Sequence, residues 1–278
     1  MVPVGGAVAV ESLDAPELAP YRTLRRPLEH RQAAIFVAEG APVVRRLLAS
    51  PLEVVSVLVS PRWLAELEPE LAVRAQRPLA LVAPEGVLAK IVGFRLHQGV
   101  MAVGRVPAAP ELDAVLEAAR PPRLVVALDG VTNPENVGAI VRSAAAFAAA
   151  AVVVGETAAS PWLRRAVRSS MGAVLALPVV EVAGLVATLE RLERCGVAAV
   201  ATSPHGTTAV DQADLSGDVC LVVGHEGLGV RPTVLSACRR VVRIPMPAGV
   251  DSLNAASAAA VFIYETARQQ GAGRSRGR

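Results

Sequence analysis

From Leu124 onward the chain carries a series of near-continuous apolar runs, "LVVALD", "AAVVVGE", "VAAVAT", "VCLVVG" and "RVVRIP", separated by segments of helical spacing. A strand that is apolar at nearly every position has no face to offer to water. Such strands predict a mostly parallel sheet covered by helices on both sides, an α/β fold. Open sheets of this kind bind ligands beyond the carboxyl ends of their strands. The loops after Leu128, Val200, Val223 and Ile244 are therefore the candidate sites.

The preceding part of the chain reads as a smaller α/β domain. "AAIFVAEG", "EVVSVLVS", "PLALVA" and "QGVMAVGRV" are strand-like, and "APVVRRLLAS", "PRWLAELEPELA" and "PEGVLAKIV" have helical spacing. Between the halves, "PAAPELDAVLEAARPPR" has prolines at both ends around a short amphipathic helix, as a linker does. The expected organisation is a loose tail over 1–20, a small α/β domain over 21–106, a linker over 107–123, the parallel-sheet domain over 124–270 and a basic tail over 271–278.

Several function classes are disfavoured. The longest apolar runs, "SAAAFAAAAVVVG" and "LNAASAAAVFIY", are shorter than the ~18 to 20 residues that cross a bilayer. The N-terminus lacks the basic segment of a secretory signal, so a soluble cytoplasmic protein is expected. Cys195, Cys220 and Cys238 are far apart and read as reduced thiols. In "GHEGLG" no second His follows one helical turn after His225, so no metal is expected. The formal net charge is +3, and the only lysine is Lys90. Arginine is the better partner for phosphate and for base stacking, and the patches "YRTLRRPLEHRQ" and "GRSRGR" suit either a solvated surface or an anionic polymer.

The candidate loops contain neither a dinucleotide fingerprint nor a phosphate loop with its lysine. "VVGHEGLGV" places Gly224, Gly227 and Gly229 where backbone can approach a flat, weakly charged ligand. "IPMPAGVDSLN" clusters Asp251, Ser252 and Asn254 at the start of a last helix, where Ser252 or Asp251 is a natural N-cap. In "DGVTNPENVGAIVRSAAAF", Val137, Ile140, Val141, Ala144 and Ala148 form one helical face. Arg142 points away from that face, and Asn136 is placed to cap the helix.

Taken together and in order, "NPENVGAIVR", "VVGHEGLG" and "IPMPAGVDSLN" closely resemble the three motifs of the SpoU, or TrmH, family of RNA ribose 2′-O-methyltransferases in the SPOUT superfamily. The resemblance covers about 124–270 and extends weakly to "FVAEG" and "HQGVMAV", which look like the substrate-binding domain often attached to these enzymes. It implies a C-terminal deep trefoil knot, S-adenosylmethionine as cofactor, RNA (rRNA or tRNA) as partner, and a homodimer.

By the same resemblance, Asn136, Arg142, Glu226, Ser252 and Asn254 are the catalytic positions, with Glu226 able to orient Arg142. Thr202, Gly224, Ile244 and Leu253 contact the cofactor, and Ser170 lines the RNA side. Arg25 and Arg26, in the basic patch, are candidate RNA contacts. Arg142 serves either as the base or as the group that holds the target phosphate and orients the hydroxyl. One departure is visible: after "SLN" the family continues with Val and Ser, whereas this chain has Ala255 and Ala256, with the serine displaced to Ser257. Two other readings are a non-catalytic RNA-binding or ribosome assembly protein on the same fold, and a nicotinamide or flavin enzyme, which the missing fingerprint disfavours.

Overall fold

A computed structural model describes residues 3–4, 7–94, 99–247, 249 and 252–271. His97 and Gln98 of "HQGVMAV", Asp251, and the "GRSRGR" patch lie outside the described residues. The chain forms two compact units, one of residues 1–108 with 162–176 and the other of residues 109–161 with 177–278.

In the first unit, β1 (Pro3–Val4), β2 (Ala7–Ala9), β3 (Ile35–Glu39), β4 (Val54–Val59), β5 (Leu79–Val82) and β6 (Val100–Arg105) form a sheet in the order β1-β2-β5-β4-β6-β3. It is mixed: β2, β5 and β4 run parallel, whereas β6 pairs antiparallel with both β4 and β3. Helices α1 (Ala19–Arg22), α2 (Pro27–Gln32), α3 (Ala41–Ala49), α4 (Pro61–Ala72) and α5 (Glu85–Val92) lie between the strands in sequence. Residues 7–20 do not form part of the loose tail expected over 1–20. Ala7–Ala9 adds a strand beside β5, and Leu18 and Tyr21 are buried in the core with Val37, Leu58, Leu81 and Met101. Burying these side chains offsets the entropy of ordering the segment. Arg74 finishes α3 from outside the helix, donating to the carbonyls of Leu48 (2.6 Å) and Ser50 (3.1 Å), which have no partner within the helix.

The second unit contains α6 (Leu112–Ala118), β7 (Leu124–Asp129), α7 (Pro134–Ala146), β8 (Ala151–Val154), β9 (Val179–Glu181), α9 (Leu185–Arg194), β10 (Ala198–Thr202), β11 (Thr208–Ala209), β12 (Val219–Gly224), α10 (Pro232–Ser236), β13 (Arg240–Arg243) and α11 (Ala255–Gln269). Helix α8 (Arg164–Ser169) falls within the first unit. The sheet order is β11-β13-β10-β12-β7-β8-β9, and every pairing is parallel. All residues of β7 and β8 are buried, as uniformly apolar strands require. From β7 the chain moves outward through β8 and β9, then returns to β10 on the far side of β12. The direction therefore reverses at the β7–β12 pair, and the crevice at their carboxyl ends is where such sheets bind ligands.

On α7, Val137, Ile140, Val141 and Ala144 face the core as expected. Ala148 does not join them, because the helix ends at Ala146 and Ala148 is exposed with a φ of 57°. Helix α11 packs against α7, β12 and β7, burying Ala259, Phe262, Ile263 and Ala267. Among the described residues no helix is long and apolar enough to cross a membrane.

Candidate active site

Three loops at the carboxyl edge of the second sheet carry the motif residues, and local chemistry fixes each. The first leaves β7 after Asp129. Pro134 starts α7 at a position whose missing N–H costs nothing. The cap is Asn133, whose side chain accepts from the Glu135 amide at 2.8 Å. Asn136, expected as the cap, is one turn too late for that duty. It is buried in the first turn, which leaves its amide free to bond elsewhere.

The second loop leaves β12 at Gly224 and folds back on itself. The His225 and Gly229 backbones exchange two hydrogen bonds of 2.9 Å. A Cβ on Gly224 would overlap the Gly229 and Val230 backbones, coming within 2.6 Å of the Gly229 carbonyl oxygen. Only glycine therefore fits at Gly224, because the Cβ side of this residue is filled by the return arm of its own loop. His225, given no role from sequence, holds the turn: its Nδ1 accepts from the amides of Gly227 (2.9 Å) and Leu228 (3.2 Å).

The third loop precedes α11. Its cap is Asn254, not Ser252, and its Oδ1 accepts from Ala256 N (2.9 Å) and Ser257 N (3.2 Å). The departure at Ala255 and Ala256 leaves this cap intact, because both bonds use backbone donors. Such a cap is worth about 1 kcal/mol.

Side chains from the three loops meet at Asn136. Its Nδ2 donates to Glu226 Oε1 at 2.7 Å, and its Oδ1 accepts from Asn254 Nδ2 at 3.1 Å. The amide is used in both directions, so its orientation is determined by its partners. Burial works against the charge on Glu226. The bond from Asn136, the Glu226 and Asn133 backbone amides and nearby His225 outweigh it and hold the carboxyl below its ordinary range. Glu226 therefore orients Asn136, not Arg142. The Arg142 side chain is exposed and makes no hydrogen bond or ion pair among the described residues.

The remaining candidates divide. Thr202 ends β10, its hydroxyl donating to the Val222 carbonyl at 3.0 Å. Gly224 ends β12, and half-buried Ile244 directly follows β13. Since β12, β10 and β13 are neighbours, these three positions share one stretch of the sheet edge. Ser252 and Leu253 are exposed beside the Asn254 cap. Ser170 belongs to the first unit and is fully buried. Its hydroxyl donates to Val167 O (2.8 Å) and accepts from Gly172 N (3.1 Å), so it shapes a turn rather than an RNA surface. Arg25 and Arg26 are exposed on the first unit, Arg26 pairing with Glu29 at 3.1 Å. Among the described residues no three His, Cys, Asp or Glu side chains are grouped to hold a metal ion.

One arrangement was not legible in the sequence. Asp129, fully buried, accepts from Arg231 N (2.7 Å) and Arg231 Nε (2.6 Å), and Arg231 Nη2 lies 2.8 Å from Glu156 Oε1.

An all-parallel sheet with its polar side chains gathered at the reversal point defines an α/β ligand-binding domain, and its motif loops are those of RNA methyltransferases. Residues 123–264 match the model of the SpoU rRNA Methylase family. An uncharacterised tRNA/rRNA methyltransferase of Mycobacterium tuberculosis is 38% identical over 264 residues, covering 92% of this chain and 90% of the relative. A 23S rRNA (guanosine-2′-O-)-methyltransferase RlmB of a Burkholderia species is 33% identical over 231 residues, covering 82% of this chain and 94% of the relative. The crystal structure of the SpoU methyltransferase AviRb from Streptomyces viridochromogenes in complex with AdoMet is 27% identical with a TM-score of 0.79, covering 93% of this chain and 100% of that one. The chain belongs to the SpoU rRNA methylase family of RNA methyltransferases.

Proposed function

We propose that this protein transfers a methyl group to a ribose 2′-hydroxyl of structured RNA, ribosomal RNA before transfer RNA. The observation that carries this reading is the hydrogen-bonded run Glu226–Asn136–Asn254, which joins the three motif loops where the sheet order reverses, with Arg142 on the helix that supplies Asn136 and without a partner among the described residues. The 2′-O-methyltransferase named among the relatives supports the choice of rRNA.

S-adenosylmethionine supplies an electrophilic sulfonium methyl group whose leaving sulfide is neutral. The loop ends fit such a cofactor: Thr202, Gly224 and Ile244 lie on adjacent strand ends, and Leu253 and Leu228 present exposed apolar side chains from the same loops. A relative with AdoMet bound supports the choice. Alignment is the main requirement of an in-line displacement. Arg142 donates hydrogen bonds to the ribose hydroxyl or its phosphate. A guanidinium stays charged and stabilises the oxygen as its proton passes to solvent water. Asn136 fixes the first turn of the same helix, and Ser252 lies beside the Asn254 cap within reach of the incoming RNA.

The first unit serves as the RNA-binding domain, with exposed Arg25 and Arg26 contacting phosphates. The sheet order, with β13 between β10 and β11 and α11 returning to α7 and β7, supports a C-terminal trefoil knot. Exposed Val261 and Tyr264 on α11 support a homodimer through that helix. The test is transfer of tritiated methyl from S-adenosylmethionine to unmodified ribosomal and transfer RNA, followed by mapping of the modified nucleotide. The expected product is one ribose-methylated rRNA position. Base methylation, or S-adenosylmethionine binding with no transfer to either RNA, would overturn the reading.

A further inference from the structure

The geometry points to Arg231 as a positioning residue for the transfer: by tying the Gly224–Arg231 loop to Asp129, it sets where Glu226 meets Asn136. This rests on the function proposed above and adds a residue that touches neither RNA nor methyl donor.

Asp129 is the last residue of β7 and pairs in register with Gly224, the last residue of β12. The loop therefore leaves the sheet opposite Asp129. It turns through the His225–Gly229 bridge and returns to Asp129, where the Arg231 amide and Nε take one carboxylate oxygen each, at 2.7 and 2.6 Å. Both ends of the loop are thus fixed at one residue, Gly224 by strand pairing with Asp129 and Arg231 by the buried Asp129 carboxylate. The first motif loop starts from the same residue and delivers Asn136 seven positions later.

A closed ring results. It runs along the chain from Asp129 to Asn136, across the 2.7 Å bond to Glu226, along the chain to Arg231, and back to Asp129. Among the described residues it is closed by the Asn136–Glu226 bond and by the amide and guanidinium of Arg231 on Asp129. Removing the guanidinium leaves the backbone amide at 231 on Asp129 but loses the Nε bond and the Glu156 contact, which loosens the loop that carries Glu226 while leaving β7 and β12 paired.

A second carboxylate extends the tie. Arg231 Nη2 lies 2.8 Å from Glu156 Oε1, and Glu156 Oε2 accepts from Leu185 N, the first amide of α9, at 2.9 Å. Gly130, in the left-handed region at φ 70°, is packed so that a Cβ would lie 3.6 Å from both His225 Cβ and Thr157 Oγ1. The loops after β7, β8 and β12 therefore converge on Asp129 and Gly130. A lysine could satisfy one of these carboxylates but could not span both, since it lacks the planar fork.

The experiment uses the full chain with Arg231→Lys, which keeps a cation beside buried Asp129 and so preserves the fold, and with Arg231→Ala. Steady-state transfer and RNA binding are measured in the wild type and in a Glu226→Ala background. The expected result is a kcat lowered about tenfold in Arg231→Lys and about a hundredfold in Arg231→Ala, with RNA Kd unchanged, since small misplacements at a reacting centre cost about that much. In the Glu226→Ala background either Arg231 substitution should cost less than twofold, because the residue being positioned is gone. Equal factors in both backgrounds, or wild-type kcat in Arg231→Lys, would overturn the inference. Inactivity of the wild type on every RNA would count against the proposed function instead. In that event amide hydrogen exchange at 225–229 decides: exchange at least tenfold faster in Arg231→Lys upholds the tie, and unchanged exchange refutes it.

Discussion

Asn136 Nδ2 donates to Glu226 Oε1 at 2.7 Å across ninety residues of sequence, and its Oδ1 accepts from Asn254 on a third loop. One buried amide thus sets the spacing of the residues assigned to the reaction. A double-mutant cycle with Asn136→Ala, Glu226→Ala and the pair should give a coupling of about 1 kcal/mol in unfolding free energy, within the usual range for contacting residues. The readout is urea unfolding. Additivity within experimental error would mean that the bond contributes nothing to the folded state.

Arg142 stands six residues, nearly two helical turns, beyond Asn136 and has no partner among the described residues. Removing an exposed, unpaired side chain leaves stability within about 0.5 kcal/mol. Arg142→Ala should therefore retain its melting temperature while methyl transfer falls at least a hundredfold, the lower end of what a donor placed on a reacting oxygen contributes. Arg142→Lys should recover little, because one ammonium cannot reproduce a two-pronged contact. Near wild-type turnover in the alanine variant would remove Arg142 from the mechanism.

The parts legible in sequence were those written in local patterns. Apolar runs located β7, β8, β10, β12 and β13, and helical spacing located α3, α4, α5 and α6. Strands β9 (Val179–Glu181) and β11 (Thr208–Ala209) were missed because two or three residues are too few to show a period. The sequence shows that capping side chains are present but not which of them caps. Asn133 and Asn254 are the caps, while Asn136 is released to join the loops. Residue preference says which side chains can cap; which one does so depends on where the helix begins. The Asp129–Arg231 tie spans 102 positions, and no local pattern connects its two ends.

The carboxyl of Glu226 carries a pH dependence. Burial opposes its charge, but the donors around it prevail and set its pKa below the ordinary 4.5. A carboxyl with a lower pKa in the folded state adds stability that is fully present above its unfolded value and fades as pH falls through the folded one. The wild type should therefore melt above Glu226→Gln by a constant margin above about pH 5.5, and the margin should shrink as the pH falls below the ordinary carboxyl range. Melting curves across that interval provide the check. A margin that widens on acidification would contradict the hydrogen-bonding pattern.

Within the first unit, the buried carboxylate of Glu39 accepts from Arg164 and, at 3.0 Å, from Arg168, and Trp162 packs on Phe36 with ring centroids 5.1 Å apart. Glu39→Ala removes both acceptors and leaves Arg164 poorly satisfied. The expected cost is about 1–3 kcal/mol, because solvent screens the more exposed Arg168. Trypsin cleavage at Arg164, Arg165 or Arg168 should become markedly faster under native conditions. An unchanged digestion pattern would show that Trp162 and its apolar contacts hold the segment without the carboxylate.

Gly224 gives the most severe steric test of the second loop. Its added Cβ would lie within 2.6 Å of the Gly229 carbonyl oxygen, against backbone that belongs to the return arm of the same turn. Backbone cannot rotate aside as a flexible side chain can. Gly224→Ala must therefore push the 225–230 arm outward, away from Asp129 and Asn136. Overpacking of this kind costs about 1–3 kcal/mol, and the displaced Glu226 should lower methyl transfer about a hundredfold even where the variant remains folded. Circular dichroism and urea unfolding report the first effect, and tritiated transfer reports the second. A folded Gly224→Ala protein with wild-type turnover would mean that the loop can relax without moving Glu226, and that the tight turn is not what holds the three motifs in register.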